Sequence, residues 1–356
     1  MPFNSIRKYL NLVKQKNFRK MIVIDGSYGE GGGQVLRTSV GLSALTGKPI
    51  KIVNIRKGRC ESGMREQHLQ AVNAVAKLCD ANMVGAVKDS EELEFYPLKI
   101  RSGSLPVKIS TAGSVGLVLQ ALLIPASKAD VNIRINGGAT YGKWAAPFDH
   151  MSNVLFPLLE KSGYKMKHKI IREGFFPKGG ADVQVHAYES KLKPLNLIDK
   201  GLLTSLKGRS VASLSLKQAK VAERQAKAAK KGLFKYFGID AKISAEYSDT
   251  LCPGSGIQLW AETEHTIIGA NALGEINKPA EVVAGEAVNN LIAEYENGCV
   301  DKHTADQLIP YMALAGSGKI MVSEITGHVT TNAYIVEQFL PVKFKIEGKI
   351  IECKKI

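Results

Sequence analysis

No two of the five cysteines stand at the spacing of a zinc site or a redox pair: Cys60, Cys79, Cys252, Cys299 and Cys353 are scattered and odd in number. That argues against a disulfide framework, and reduced thiols in a cytoplasmic protein are the simplest expectation. Long apolar runs are missing too. No stretch reaches membrane-spanning length, so no membrane partner is expected, and residues 1–20 lack the apolar segment of a secretory signal. Those twenty residues read as a basic extension ahead of a fold that begins at Met21. Acidic groups are scarce relative to basic ones: 33 Asp and Glu face 48 Lys and Arg, a formal charge of +15. A surplus of that size attracts polyanions. Nucleic acid fits better than a membrane surface because no basic helix carries a large aromatic face; a generic basic surface is the plain alternative.

What is present is an α/β pattern in 356 residues, enough for a large core and, by default, two domains. The segment MIVIDGSYGEGGGQVLRTSVGLSALTGKPIKIVNI reads as strand, Gly-rich loop, helix and strand. No Gly-Lys-Ser/Thr follows the loop, so it is not a P-loop, yet its glycines allow close approach to a phosphate at a helix N-terminus. Next, Arg56, Lys57 and Arg59 form a basic turn before a helix that starts at Gln67 and His68 and buries Leu69, Val72, Val75 and Leu78. Near the C-terminus, HTADQLIPYMALAGSGKIMVSEITGHVTTNAYIVEQFLP reads as helix, strand and helix, with Asp306 and Gln307 in the first helical turn. Gly327-His328 opens the second helix, a junction that lifts a side chain clear of the sheet beside exposed N–H groups. His328 is therefore the candidate for chemistry, although a lone histidine at a strand end is more often a structural hydrogen-bonder.

The pattern repeats. VKISTAGSVGLVLQALLIPASKADVNIRI restates strand, turn, helix and strand, and sets His150 against His68 at a period of roughly 83 residues. A third copy is expected to resume at HTADQLIPYM, with Asp306-Gln307-Leu308 in the place of Gln67-His68-Leu69. The expected organisation is a main three-repeat body, 21–201 and 286–356, each repeat a βαβαββ-like α/β (α+β) subdomain. A small α/β domain at 202–285 interrupts the third copy. Its Lys-rich helix, with Lys227, Lys230 and Lys231, reads as a solvated face or an RNA-contacting surface.

The segments IDGSYGEGGGQVLR, IRKGRCESGMREQHL, STAGSVGLVLQ, GFFPKGGADV, KVAERQA, HTADQLIPYMALAGSG and TGHVTTNAYIVEQFLPV, in this order, resemble the RNA 3′-terminal phosphate cyclase family from Met21 to the C-terminal strands. The resemblance implies three repeats like the C-terminal domain of bacterial translation initiation factor three, plus a thioredoxin-like insert. It implies an enzyme that uses ATP and Mg²⁺ or Mn²⁺ to convert an RNA 3′-phosphate into a 2′,3′-cyclic phosphodiester. The family's adenylylated histidine falls on His328. Its ATP contacts fall on Gln120, Pro147 and the block His303, Thr304, Ala305, Asp306 and Gln307; the family commonly has Tyr where this chain has His303, whose imidazole can still stack. Gln34 and Arg37 match positions at the nucleotide phosphates, Arg56, Arg59, Gln67 and His68 positions at the phosphates or RNA end, and Glu30 the divalent-metal contact. Two rivals stand beside this reading. Cyclase-like relatives in ribosome assembly bind without chemistry, but that branch loses the histidine. Enolpyruvyl transfer rests on fold analogy alone. A homo-oligomer is left open.

Overall fold

A computed structural model describes residues 21–143 and 145–356. The basic extension expected at 1–20 lies outside the described residues. In the first unit, β1 (Ile22–Asp25) and β2 (Ile50–Val53) run parallel around α1 (Gly33–Thr46). Then α2 (Glu66–Cys79) leads to the antiparallel strands β3 (Asn82–Val84) and β4 (Leu93–Tyr96), giving the order β1-β2-β4-β3. Alternation sets the sheet face: Ile50, Ile52, Leu93 and Phe95 are fully buried. The three-residue spacing of Leu69, Val72, Val75 and Leu78 sets the buried stripe of α2.

The second unit repeats this order. It comprises β5 (Gly103–Ser114), α3 (Val115–Ala126), β6 (Val131–Ala139), α4 (148–161, with a π turn at Met151–Leu155), β7 (Met166–Arg172) and β8 (Asp182–Ala187). The sheet runs β5-β6-β8-β7. The third unit begins at β9 (Asn196–Leu197) and is then interrupted.

The interruption is β10 (Leu203–Ser213), α5 (Val221–Phe237), β11 (Ala241–Ser248), β12 (Ser255–Thr263), β13 (Ile267–Leu273) and α6 (Ala280–Asn297). Its sheet, β11-β10-β12-β13, has its own core, in which Val283, Ala284, Ala287, Val288 and Leu291 of α6 pack with Leu206, Leu233 and Leu259. The unit therefore runs on through Asn297, past the boundary at 285 expected from the sequence. A helical stripe shows that α6 packs on something, and only the packing shows that it packs on the insert.

The third unit resumes with α7 (Lys302–Ala315), β14 (Ser317–Met321), α8 (Gly327–Phe339), β15 (Val342–Glu347) and β16 (Ile350–Lys355). From β9 outward its sheet is β9-β14-β16-β15, the same order a third time. This corrects the expected alignment. The helix holding Asp306 and Gln307 lies between the parallel strands β9 and β14, so it occupies the place of α1 and α3, not of α2. It is α8 that matches α2 and α4. Apolar spacing is common to all six helices, whereas strand neighbours distinguish them, and β9 is only two residues long. With caps at Arg65, Pro147 and Thr326, the second helical positions of α2, α4 and α8 are Gln67, Asp149 and His328. The helices of the three units share one core containing Val35, Leu119, Leu308 and Val336.

A buried ionic joint ties the insert to this body. Arg209 Nη1 on β10 donates to Asp149 Oδ2 at 2.8 Å and Glu173 Oε1 at 2.7 Å, and Tyr141 OH donates to Asp149 Oδ2 at 2.5 Å. Burial alone would lower the Arg209 guanidinium, but the Asp149 and Glu173 carboxylates more than reverse it. The Asp149 and Glu173 side chains are 1% and 2% exposed. Arg209→Ala is therefore expected to cost about 3–5 kcal/mol in urea unfolding, because two carboxylates stay buried without a cation. Arg224→Ala, which breaks an exposed pair with Glu281, should leave the midpoint near wild type. Equally small effects from both would mean that the Arg209 joint is solvated.

Candidate functional site

The site forms where the first unit meets the start of α8. Thr326 caps that helix, its Oγ1 accepting the Val329 N–H at 3.3 Å. His328, next but one, is 46% exposed and its Nδ1 lies 3.3 Å from Glu30 Oε2. Glu30 is brought there by the Gly-rich loop, which crosses the first turns of α8. Gly29 has φ +62°, and a Cβ on it would stand 2.3 Å from Thr331 Oγ1, so only glycine lets the loop lie this close. Tyr28 stacks on Tyr334 at 3.8 Å and holds the loop down. Burial lowers the His328 pKa; Arg37 and Arg59 add to this and Glu30 opposes it. The ring is neutral at pH 7. With Nδ1 facing a carboxylate, the proton is assigned to Nδ1 and the Nε2 lone pair is free.

Beneath the histidine, the Gln34 amide of α1 spans two helices of the third unit. Its Nε2 donates to Asp306 Oδ2 at 3.0 Å and to the His328 carbonyl at 3.2 Å. Asn332 Nδ2 donates to the Asp306 carbonyl at 2.7 Å, and Thr38 Oγ1 donates to Asn332 Oδ1 at 2.7 Å. Desolvation raises the Asp306 carboxyl to about 7, with Arg37 opposing, and lowers the buried Arg37 guanidinium to about 10, with Asp306 opposing. His68 is buried on the other side of Arg37. Its Nδ1 accepts the Arg65 N–H at 3.0 Å, and burial, with Arg37, Arg56 and Arg65 nearby, lowers it to about 3. It stays neutral.

Next to this cluster a narrow cavity of about 20 Å³ separates α1, α3, α4, α7 and α8. Gln34, Arg37, Gln120, Asp306, Gln307 and Asn332 supply its polar wall. Gln34 Oε1, Arg37 Nε and Gln307 Oε1 are buried without a protein partner. Unpaired polar atoms facing one cavity mark a place for water or ligand atoms. As closed here it admits a water; a nucleobase needs the helices to part.

Thus Glu30, Gln34, Arg37, Arg59, His68, Asp306 and His328 come together, with Gln120 and Gln307 at the cavity. Arg59 Nη2 lies 3.7 Å from Glu30. Arg56 adopts a left-handed conformation and donates to the Gly63 carbonyl at 3.2 Å, and Gln67 is half-buried against Gly113 near the end of β5. Asp306 and Gln307 reach the cavity from the second turn of α7, not the first, because Asp301 is its cap. Other expected contacts point elsewhere. The Thr304 hydroxyl donates to Asp301 Oδ2 at 2.9 Å, and Ala305 is core. Pro147 is the buried cap of α4 and does not line the cavity. His303, in the first turn of α7, is exposed and edge-on to His150, and it does not line the cavity either.

Sequence reasoning missed the partners of His150, whose Nε2 lies 3.1 Å from Asp301 Oδ1 and whose Nδ1 lies 3.3 Å from Gln258 of the insert. Burial would raise Asp301, but His150 and the Thr304 N–H bring it to about 2. The local signal that could have placed the helix start is Asp301-x-x-Thr304, which the sequence reading passed over by starting at His303; no local signal marks the tie to His150. Among the described residues no three His, Cys, Asp or Glu side chains form a metal cage. A single carboxylate at the rim, Glu30, suits Mg²⁺ or Mn²⁺ that takes its remaining oxygens from water and phosphates.

A family model described as RNA 3′-terminal phosphate cyclase matches residues 28–346. The RNA 3′-terminal phosphate cyclase of Pyrococcus furiosus is 45% identical over 336 residues, covering 93% of this chain and 97% of the relative. Those of Pyrococcus abyssi and Methanopyrus kandleri are 45% and 44% identical over 93% and 92% of this chain, and 96% of each relative.

The raised Asp306 carboxyl makes stability depend on pH. The folded state holds that proton more tightly than the unfolded chain, so its contribution is full below pH 4 and is lost as pH rises through about 7. Asp306→Asn keeps a neutral side chain at every pH. From pH 5 to 8 the wild-type denaturation midpoint should therefore fall relative to that of the variant. Parallel profiles would show that Asp306 does not titrate near neutrality.

Proposed function

Since the chain belongs to the RNA 3′-terminal phosphate cyclase family, we propose that it is an ATP-dependent enzyme closing an RNA 3′-phosphate into a 2′,3′-cyclic phosphodiester through adenylylated His328. The observation that carries this reading is the His328–Glu30 pair, which engages Nδ1 and leaves Nε2 unblocked on an accessible ring. Nε2 attacks the α-phosphorus of ATP, the N–P bond forms and pyrophosphate leaves. The ring becomes cationic, and Glu30 beside Nδ1 stabilises that charge. Arg37, Arg56, Arg59 and the exposed N–H groups at the start of α8 offset the phosphate charge. Mg²⁺ or Mn²⁺ on Glu30, when bound, offsets charge on the departing pyrophosphate.

An oxygen of the RNA 3′-phosphate then attacks the same phosphorus, the N–P bond breaks and imidazole leaves neutral. The RNA end is now an anhydride with AMP. Its own 2′-OH attacks the 3′-phosphorus, loses its proton and expels AMP. That step is intramolecular, so proximity supplies much of its acceleration. Gln120, Asp306 and Gln307 supply the polar edge that reads the nucleotide, and His303, exposed one turn before Gln307, is free to stack on it. The cysteines are all unpaired and only Cys60 is exposed, which supports a reducing, cytoplasmic setting.

Incubation with ATP labelled at the α-phosphate should give acid-labile, base-stable label on the protein. In His328→Ala the label should fall to background while the unfolding midpoint stays near wild type. Label retained on the folded variant moves the nucleophile elsewhere. The order of steps is tested separately with pre-adenylylated enzyme in a single turnover. An RNA ending in 3′-phosphate and 2′-deoxyribose should accept AMP and accumulate as the adenylylated end, while a 3′-hydroxyl RNA leaves AMP on the protein. Failure of the deoxy-terminated RNA to acquire AMP, with normal binding, overturns the order.

A further inference from the structure

The segment 174–180, GFFPKGG, has no role in the chemistry above, and its two phenylalanines face opposite ways. Phe175 is buried with Tyr141, Val211 and Cys252. Phe176 is 50% exposed, and Lys143 Nζ stands 5.4 Å from its ring centroid. Lys178 is exposed on the same loop. The loop is held firmly: the Gly179 N–H donates to the Phe175 carbonyl at 2.7 Å, and Arg172 Nε donates to the Gly180 carbonyl at 2.7 Å. A Cβ on Gly179 would stand 2.7 Å from the Gly138 carbonyl oxygen and 3.0 Å from that of Thr111, so this backbone lies directly on 110–113, the stretch of β5 where its register against β6 shifts. This end of β5 in turn abuts the start of α2, where Ser110 Oγ donates to Glu66 Oε1 at 3.5 Å and Gly113 lies against Gln67. Contacts are therefore continuous from Gly179, three residues after Phe176, through Thr111 and Gly113 to Gln67, the neighbour of His68.

We propose that Phe176, with Lys143 and Lys178, is the platform that holds the RNA strand upstream of its reacting end, a base stacking on the ring and the ammonium groups meeting phosphates. This rests on the reading of the site as acting on an RNA end. An RNA chain whose last phosphate lies at His328 must leave the site across the surface. A rigid exposed aromatic flanked by cations offers what single strands are held by: a π face open to any base and charge for the backbone. Phe176 cannot turn inward, because Phe175 already occupies the pocket beneath. The formal charge of +15 favours a polyanionic occupant over a neutral apolar partner.

The test compares Phe176→Ala and Phe176→Tyr on 3′-phosphate oligonucleotides two to eight nucleotides long, with direct binding read by fluorescence anisotropy. For the octamer, Phe176→Ala should raise Kd and KM roughly 5- to 100-fold, the loss of one base stack. kcat and self-adenylylation should be unchanged, and Phe176→Tyr should bind as wild type. Dinucleotide substrates, too short to reach the platform, should not distinguish the variants. Lys143→Ala with Lys178→Ala should reduce the salt slope of octamer binding by about 1.4, at about 0.7 per phosphate contact on a single strand. Octamer binding unaltered in Phe176→Ala overturns the proposal and leaves the patch to a protein partner. An equal loss for dinucleotide and octamer also overturns it. Octamer binding that depends on Phe176 in an enzyme that forms no cyclic product would keep the platform and refute the cyclase reading instead.

Discussion

A single buried amide holds the reactive junction in place. Gln34 comes from the first unit, yet its two hydrogen bonds end on Asp306 of α7 and on the backbone of His328 in α8. The strand-to-helix junction carrying the histidine is thus oriented by a residue nearly three hundred positions away. The carboxylate it meets is desolvated and next to Arg37, so removing either partner leaves a buried polar group uncompensated. The Gly-rich loop depends on the same arrangement, because Glu30 reaches His328 only while α8 lies flat beneath Gly29 and Tyr28.

The three units share one topology and use equivalent positions differently. The second residue of the second helix is Gln67 in the first unit, Asp149 in the next and His328 in the third. One borders the site, one is an anchor for Arg209, and one is the nucleophile proposed here. A helix start presents its side chain beside free N–H groups in every copy. Whether that becomes a site or a joint depends on what packs opposite. For Asp149 it is the insert, which also touches the base of α7 through Gln258 and His150. The two joints fix the insert against the cap of the helix that carries Asp306.

Much of this was legible in the chain. Apolar periodicity marked the helices and strands, because burying one face is a local demand written at every third, fourth or second residue. The Gly-His junction and the Gly-rich loop were visible for the same reason: glycine and helix starts are local backbone facts. Distance in sequence hid the rest. The misplacement of HTADQLIPYM followed from spacing shared by first and second helices alike, and the boundary of the insert from a helix whose partner surface is not encoded in its own residues. Asp301 was passed over altogether: as a cap it has a local signal, but as the partner of His150 it has none.

The residues by themselves determined the elements, the repeat and the identity of the candidate groups, since propensity, periodicity and motif order need no partner. Only the tertiary structure decided which of those groups share a site. It brought Glu30 to Nδ1 of His328, sent the Thr304 hydroxyl inward, left Phe176 outside while burying Phe175, and raised the Asp306 carboxyl. Each depends on through-space electrostatics, desolvation or close packing between segments far apart in the chain, and those quantities do not exist until the chain has folded.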